Sequence, residues 1–184
     1  MERQNQKGGL RVEIGKMQFG EILNHMTQAN PSWAGGAAGA MTGAMAMALV
    51  LKINGLVGKA SNENSLHLLL ALAEKESGIY PRILESRQHP EEHKRQILAA
   101  LNLSRDIAYL CLQEAQTQLA RLPDVKATLR PDLITCVHLF YAGAASALTN
   151  IRANLTKTTI DFPVEELEHD LHAVSATLAT FDHW

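Results

Sequence analysis

The side chains best placed to do chemistry are two acids and a pair of asparagines. Glu76 and Tyr80 stand four apart on a predicted helix, so a carboxylate and a phenol share a face and could line one pocket. By spacing alone, Glu76 in the run Glu74-Lys75-Glu76 reads first as a solvated residue. Asp132 follows Pro131 at a predicted helix start, where the helix dipole accounts for an acid without any further role. Asn150 and Asn154 lie four apart on that same helix, and Asn150 falls about five turns beyond Asp132, so the three form a rough stripe. Polar side chains on an apolar helix must find hydrogen bonds. Asn154 reads as structural; Asn150 is open between tying helices together and binding a ligand. His138, on an apolar stretch near Tyr141, reads as a hydrogen-bonded core histidine, with a pocket role as the alternative. His89 and His93, and His169 and His172, have helical metal-ligand spacing but no third ligand placed by sequence. They read as surface histidines, and no metal is expected.

The elements that must position these residues read as helical nearly throughout. The 184 residues are 46% hydrophobic, 20% charged and 5% aromatic, which suits one globular domain with a sizeable core behind a loose lead-in over residues 1–10. A net charge of −2 makes nucleic acid and anionic membranes poor default partners. Cys111 and Cys136, each alone in an apolar stretch, read as buried thiols of a cytoplasmic protein. Met26 to Leu51 carries no charge and is long enough to span a bilayer, but its first half is polar or merely small, so it reads as a buried central helix.

The pattern predicts an all-α bundle of about six antiparallel helices. The first runs from about Val12 to Gln28, broken by Asn30-Pro31-Ser32. The second runs from Trp33 to about Leu56. Its pairs Gly39/Gly43 and Ala40/Ala44 permit close approach of another helix, at the centre of the fold or at a subunit interface. A third, capped by Asn62 or Ser61, covers Glu63 to Glu85, with Pro81 kinking it or ending it near Tyr80. Pro90 opens a fourth to about Leu122, Pro131 a fifth, and Asp161-Phe162-Pro163 a sixth that ends near Phe181. The Met41, Met45 and Met47 side chains read as packing.

A proline-then-glycine-rich start to an alanine-rich helix, a later Pro-Asp helix start and an Asn-x-x-x-Asn helix end occur in that order. Together they resemble the cyclodeaminase/cyclohydrolase family of bacterial methenyltetrahydrofolate cyclohydrolases and formiminotransferase-cyclodeaminases. The likeness covers nearly the whole chain from about Met17 to Asp161. Family members carry Pro-x-Pro-Gly-Gly-Gly-Ser where this chain has Pro31-Ser32-Trp33-Ala34-Gly35-Gly36-Ala37. An Asp of the family corresponds to Glu76, ahead of Tyr80; a Ser-Asp helix start corresponds to Pro131-Asp132. The Asn-Val-x-x-Asn-Leu ending matches Asn150-Ile151-Arg152-Ala153-Asn154-Leu155, followed by Asp161.

The resemblance implies folate chemistry with no cofactor beyond a folate as substrate; separately, the helix from Ala34 to Val50 has too little polar surface to stand exposed on a monomer, so a homodimer through it is expected. Water adds to the amidinium carbon of methenyltetrahydrofolate, or formiminotetrahydrofolate closes with loss of ammonia. Such a site needs a carboxylate near the cation and a group to move a proton. The resemblance gives Glu76 the proton and Asp132 the cation. Gly35 and Gly36 would let a ligand approach backbone N–H groups, and Trp33, Tyr80, His138 and Asn150 would line the pocket. Trp33 stands where the family has proline, and an indole pointing into the cleft would leave little room for a pterin. Weak or absent methenyltetrahydrofolate hydrolysis is therefore expected, relieved by Trp33→Pro with Ala34→Gly. The competing readings are a cyclase repurposed for another imine or iminium compound, and a non-catalytic helical scaffold or binding module.

Overall fold

Local chemistry sets where each helix begins and ends. The computed structural model describes residues 13–29, 32–60, 62–156 and 158–181; the lead-in, Asn30-Pro31 and Ser61 lie outside them. The described residues form seven α-helices and no strand: α1 (Phe19–Met26), α2 (Gly35–Leu56), α3 (Asn64–Ser77), α4 (Ile79–Glu85), α5 (Pro90–Arg121), α6 (Arg130–Leu155) and α7 (Glu165–Leu178). The fold is all-α, as the sequence predicts.

Three boundaries differ from the sequence reading. The expected first helix is a 3-10 turn, Ile14–Lys16, followed by α1, because Gln18 and Glu21 form a capping box that starts a new helix. The third splits at Gly78, three residues before the proline. Restarting at Ile79 puts Pro81 in the first turn of α4, where its missing N–H leaves no hydrogen bond unmade. The last helix begins at Glu165; Asp161-Phe162-Pro163 is the extended approach to it, with Phe162 buried and the Arg105 guanidinium 5.8 Å over its ring. The cap of α3 is Glu63 and not Asn62 or Ser61; Asn62, one residue outside it, accepts with its Oδ1 from the Asn64 N–H at 3.0 Å.

Four helices, α2, α3, α5 and α6, make the bundle, and α2 and α6 run antiparallel at close range. A Cβ added at Gly143 would lie 2.8 Å from the Gly39 carbonyl oxygen, and one at Gly39 would lie 3.0 Å from that of Gly143. The small residues of α2 are therefore spent at the centre of the fold. Gly39, Gly43, Ala40 and Ala44 are all buried within the subunit. One turn along, the Cys111 thiol of α5 fills the space beside Gly43 and Gly143, with Leu69 of α3 closing the layer. By length and composition alone, Gly35–Leu56 and Ala127–Leu155 could cross a membrane. In the fold they are the two core helices, each burying one whole side against its neighbours.

Candidate active site

The Glu76 carboxylate lies beneath the first turn of α2. A Cβ at Gly36 would overlap Glu76 Oε1, so the carboxylate occupies the space that a side chain at position 36 would fill. From α6, the Asn150 amide donates to Glu76 Oε1 at 3.4 Å. Ser146, one turn earlier, donates to the Gly35 carbonyl at 2.8 Å and so pins α6 to the start of α2. Glu76 Oε2 is buried and has no hydrogen-bond partner. Burial pushes the Glu76 carboxyl up to about 7, against a smaller opposing effect of the Asn150 amide. A carboxyl poised there exchanges its proton near neutral pH, which suits a general acid and base. Glu76 is thus half-buried, with Oε2 shut off from solvent, and not the solvated residue that its sequence neighbours suggest.

The structure brings Gly35, Gly36, Glu76 and Asn150 together and places the other candidates elsewhere. Asp132 sits at the opposite end of α6, about 27 Å along the helix axis from Asn150. There it pairs with exposed Lys52 at 3.9 Å, so it shares no pocket with Glu76 of the same subunit. Tyr80 is separated from Glu76 by the break at Gly78 and is 37% exposed, so the shared helix face does not exist. His138 is exposed on α6, a correction to its reading as a core histidine. His93 is half-buried, its Nδ1 lying 3.2 Å from both Ser86 Oγ and the Ile83 carbonyl. No cluster of three metal-ligating side chains occurs among the described residues. Burial pushes both cysteine thiols up to about 12, which leaves them protonated and unreactive at neutral pH.

Trp33 is buried in the core, stacked on His25 with ring centroids 5.2 Å apart and planes at 11°. It packs against the body of the fold, so the expected obstruction of the cleft loses its premise. Its φ is +61°, a left-handed conformation that costs a non-glycine residue about 1–2 kcal/mol. Proline, fixed near −65°, cannot adopt it. Trp33→Pro would therefore break the loop and could not restore a family-like one.

Sequence reasoning missed an apolar groove of about 410 Å³ between α1, α2 and α3, lined among others by Phe19, Leu23, Met41, Met45 and Leu70. Met47 is core, as expected of packing methionines, but Met45 is 46% exposed along this groove. The groove lies on the side of α2 turned away from Glu76, since Ala38 of its lining points about 200° around the helix from Gly36.

The arrangement defines a helical bundle with one buried, protonatable carboxyl held beneath a glycine-lined helix start. No family model matches this sequence, and no curated protein does. Among solved structures, the chain is similar to formiminotetrahydrofolate cyclodeaminase from Thermotoga maritima: TM-score 0.76, 17% identity, covering 91% of this chain and 93% of that one. The two share a fold along nearly their whole lengths, and that neighbour is an enzyme.

Proposed function

We propose that the protein is a cyclohydrolase/cyclodeaminase-type enzyme acting on a folate amidinium or formimino group, with Glu76 moving the proton. The observation that carries this reading is the buried Glu76 carboxyl beside Gly36 and Asn150, in a fold shared with a formiminotetrahydrofolate cyclodeaminase. A scaffold gains nothing from a carboxyl whose second oxygen is buried without a partner, which is a net cost to folding.

In the hydrolytic direction, water oxygen bonds to the amidinium carbon and gives a proton to Glu76. The carbon–nitrogen bond of the neutral adduct then breaks, Glu76 returns a proton to the departing nitrogen, and the adduct hydroxyl loses its own. One proton is released overall. In the deaminating direction, the arylamine nitrogen outside the pterin ring attacks the formimino carbon and its proton passes to the formimino nitrogen; Glu76 gives that nitrogen a second proton, the carbon–nitrogen bond breaks, ammonia leaves and the methenyl cation remains, with one proton taken up overall. With Asp132 remote within the subunit, ionised Glu76 also supplies the negative charge beside the cation.

The test is the absorbance of the methenyl cation: its decay for the hydrolase and its appearance from formiminotetrahydrofolate for the deaminase. Catalysed change in either, lost in Glu76→Gln, is the expected result. No change in either, with folded protein, favours the second reading: a cyclase of the same fold working on another imine. Trp33 favours that reading to one degree only, since its left-handed backbone gives the loop before Gly35 a path that a proline there could not follow.

A further inference from the structure

Four helices cross in register every seven residues. Gly43, Leu69, Cys111 and Gly143 meet in one layer of the bundle. Seven residues, two turns or about 10.5 Å, carry each helix to the next layer. Along α2 that step leads back to Gly36, along α3 on to Glu76 and along α6 on to Asn150, which are the residues already found together. Along α5 it leads to Ser104. The opposite direction of α5 relative to α3 is fixed independently by Ser65, which donates to Glu114 at 2.7 Å.

Ser104 is fully buried, and its hydroxyl has no hydrogen-bond partner. A serine or threonine within a helix ordinarily turns back to the carbonyl four residues earlier. Thr42, Thr117, Thr135, Thr149 and Thr177 all do so here. Ser104 does not, although its neighbours Ala100, Leu101, Ile107 and Ala108 offer nothing else polar. Ser104 Oγ and Glu76 Oε2 are thus two orphaned buried oxygens, and the seven-residue step assigns them to the same layer. A buried water needs two to four polar partners, and a water in this layer would draw on both orphans and on the Asn150 amide.

We propose that Ser104 is a positioning residue: with Glu76 Oε2 it holds the water that attacks the substrate carbon. This rests on the hydrolytic reading above. Ser104 fixes the water oxygen, and Glu76 accepts the proton released as the oxygen–carbon bond forms. Among the described residues, only burial and the Asn150 amide act on the Glu76 carboxyl, and no charged group does. Glu76 meets Gly36 from α2 and Asn150 from α6; on its own helix, Glu74 accepts from the Ile14 N–H at 2.7 Å and Lys75 is exposed.

The experiment follows the Glu76 carboxyl by carbon-13 NMR titration in wild-type protein, Ser104→Ala and Ser104→Cys, without substrate, alongside kcat and KM. Losing a water that supports the ionised form should move the Glu76 midpoint up by about one unit in Ser104→Ala. Ser104→Cys, similar in volume but a weaker donor, should move it part of the way. Where a folate proves to be the substrate, kcat should fall about tenfold or more with KM within about twofold. An unmoved midpoint in Ser104→Ala, accompanied by a raised melting temperature, overturns the inference: Ser104 is then only a buried hydroxyl better removed. If Ser104→Ala does not fold, the Ser104→Cys midpoint decides alone. Because the midpoint needs no substrate, a shifted midpoint in a protein inert to folates sinks the proposed function and leaves the water site standing.

Discussion

Glu76 binds its proton more tightly in the folded chain than in the unfolded one, and stability must follow. The group goes from 4.5 unfolded to about 7 folded. Between those values the folded state holds more protons, so unfolding free energy declines as pH rises from about 4.5 to about 7. The change is about 3 kcal/mol at most, fully present below 4.5 and lost above 7. Urea melts from pH 4 to 8 should show this slope in wild-type protein and lack it in Glu76→Gln, which should also lose about 10²-fold or more in turnover. Gly36→Ala separates site from fold. The atoms nearest the added methyl are Glu76 Oε1, Cδ and Cγ, so that side chain must swing aside from Cγ outward; helix propensity offsets part of this displacement, so stability should change by less than about 1 kcal/mol either way while most activity is lost. Asp132→Asn, at an exposed pair on the far end of α6, should change stability by less than about 0.5 kcal/mol and leave turnover intact. Much of this could not be read from residue types. Glu76 looks solvated because Glu74 and Lys75 flank it, and only the glycine opposite shows that its carboxyl is buried. The stripe from Asp132 to Asn150 was a correct statement about one helix face, but five turns of helix separate its ends.

Helix identity was legible wherever Pro, Gly or Asn punctuates the chain: Asn62, Pro90 and Pro131 each mark a start within a residue or so. The helix break after Ser77 was misplaced onto Pro81 because proline is tolerated in a first turn, and the chain used Gly78 as the stop. What the sequence could not show is which small residue faces which helix. The α2–α6 crossing decides that, with Gly39 and Gly143 backbones in mutual contact. Backbone cannot move aside as a side chain can, so Gly143→Ala must push the helices apart. A loss of roughly 1–3 kcal/mol is expected, with a matching fall in melting temperature. Gly55→Ala, on the same helix as Gly39 but with nothing near its Cβ position, should be neutral or stabilising. Equal losses in the two variants would show that helix propensity and not the crossing governs these glycines.

At the scale of the molecule, the unspent apolar surface is on the outer side of α2 and not on its glycine ridge. Phe19, Leu23 and Met45 are 63%, 46% and 46% exposed, and all three line the same groove, whose other walls are Met41, Ile22 and Leu66. Three large side chains half out of water in one place are a cost to a lone subunit, since covering the exposed half of each regains about 1 kcal/mol. We propose that a second copy of the chain covers them. The glycine ridge of α2 is filled by α6, so on this proposal the contact between copies lies on the methionine side of the helix. Met45→Glu puts a charge in the centre of that face and touches none of the buried layer around Glu76. Wild-type protein should sediment as a dimer at tens of micromolar, about the range in which weak dimers associate. Met45→Glu should sediment as a monomer whose far-ultraviolet spectrum is unchanged. A wild-type monomer at that concentration would show that the groove serves something other than self-association.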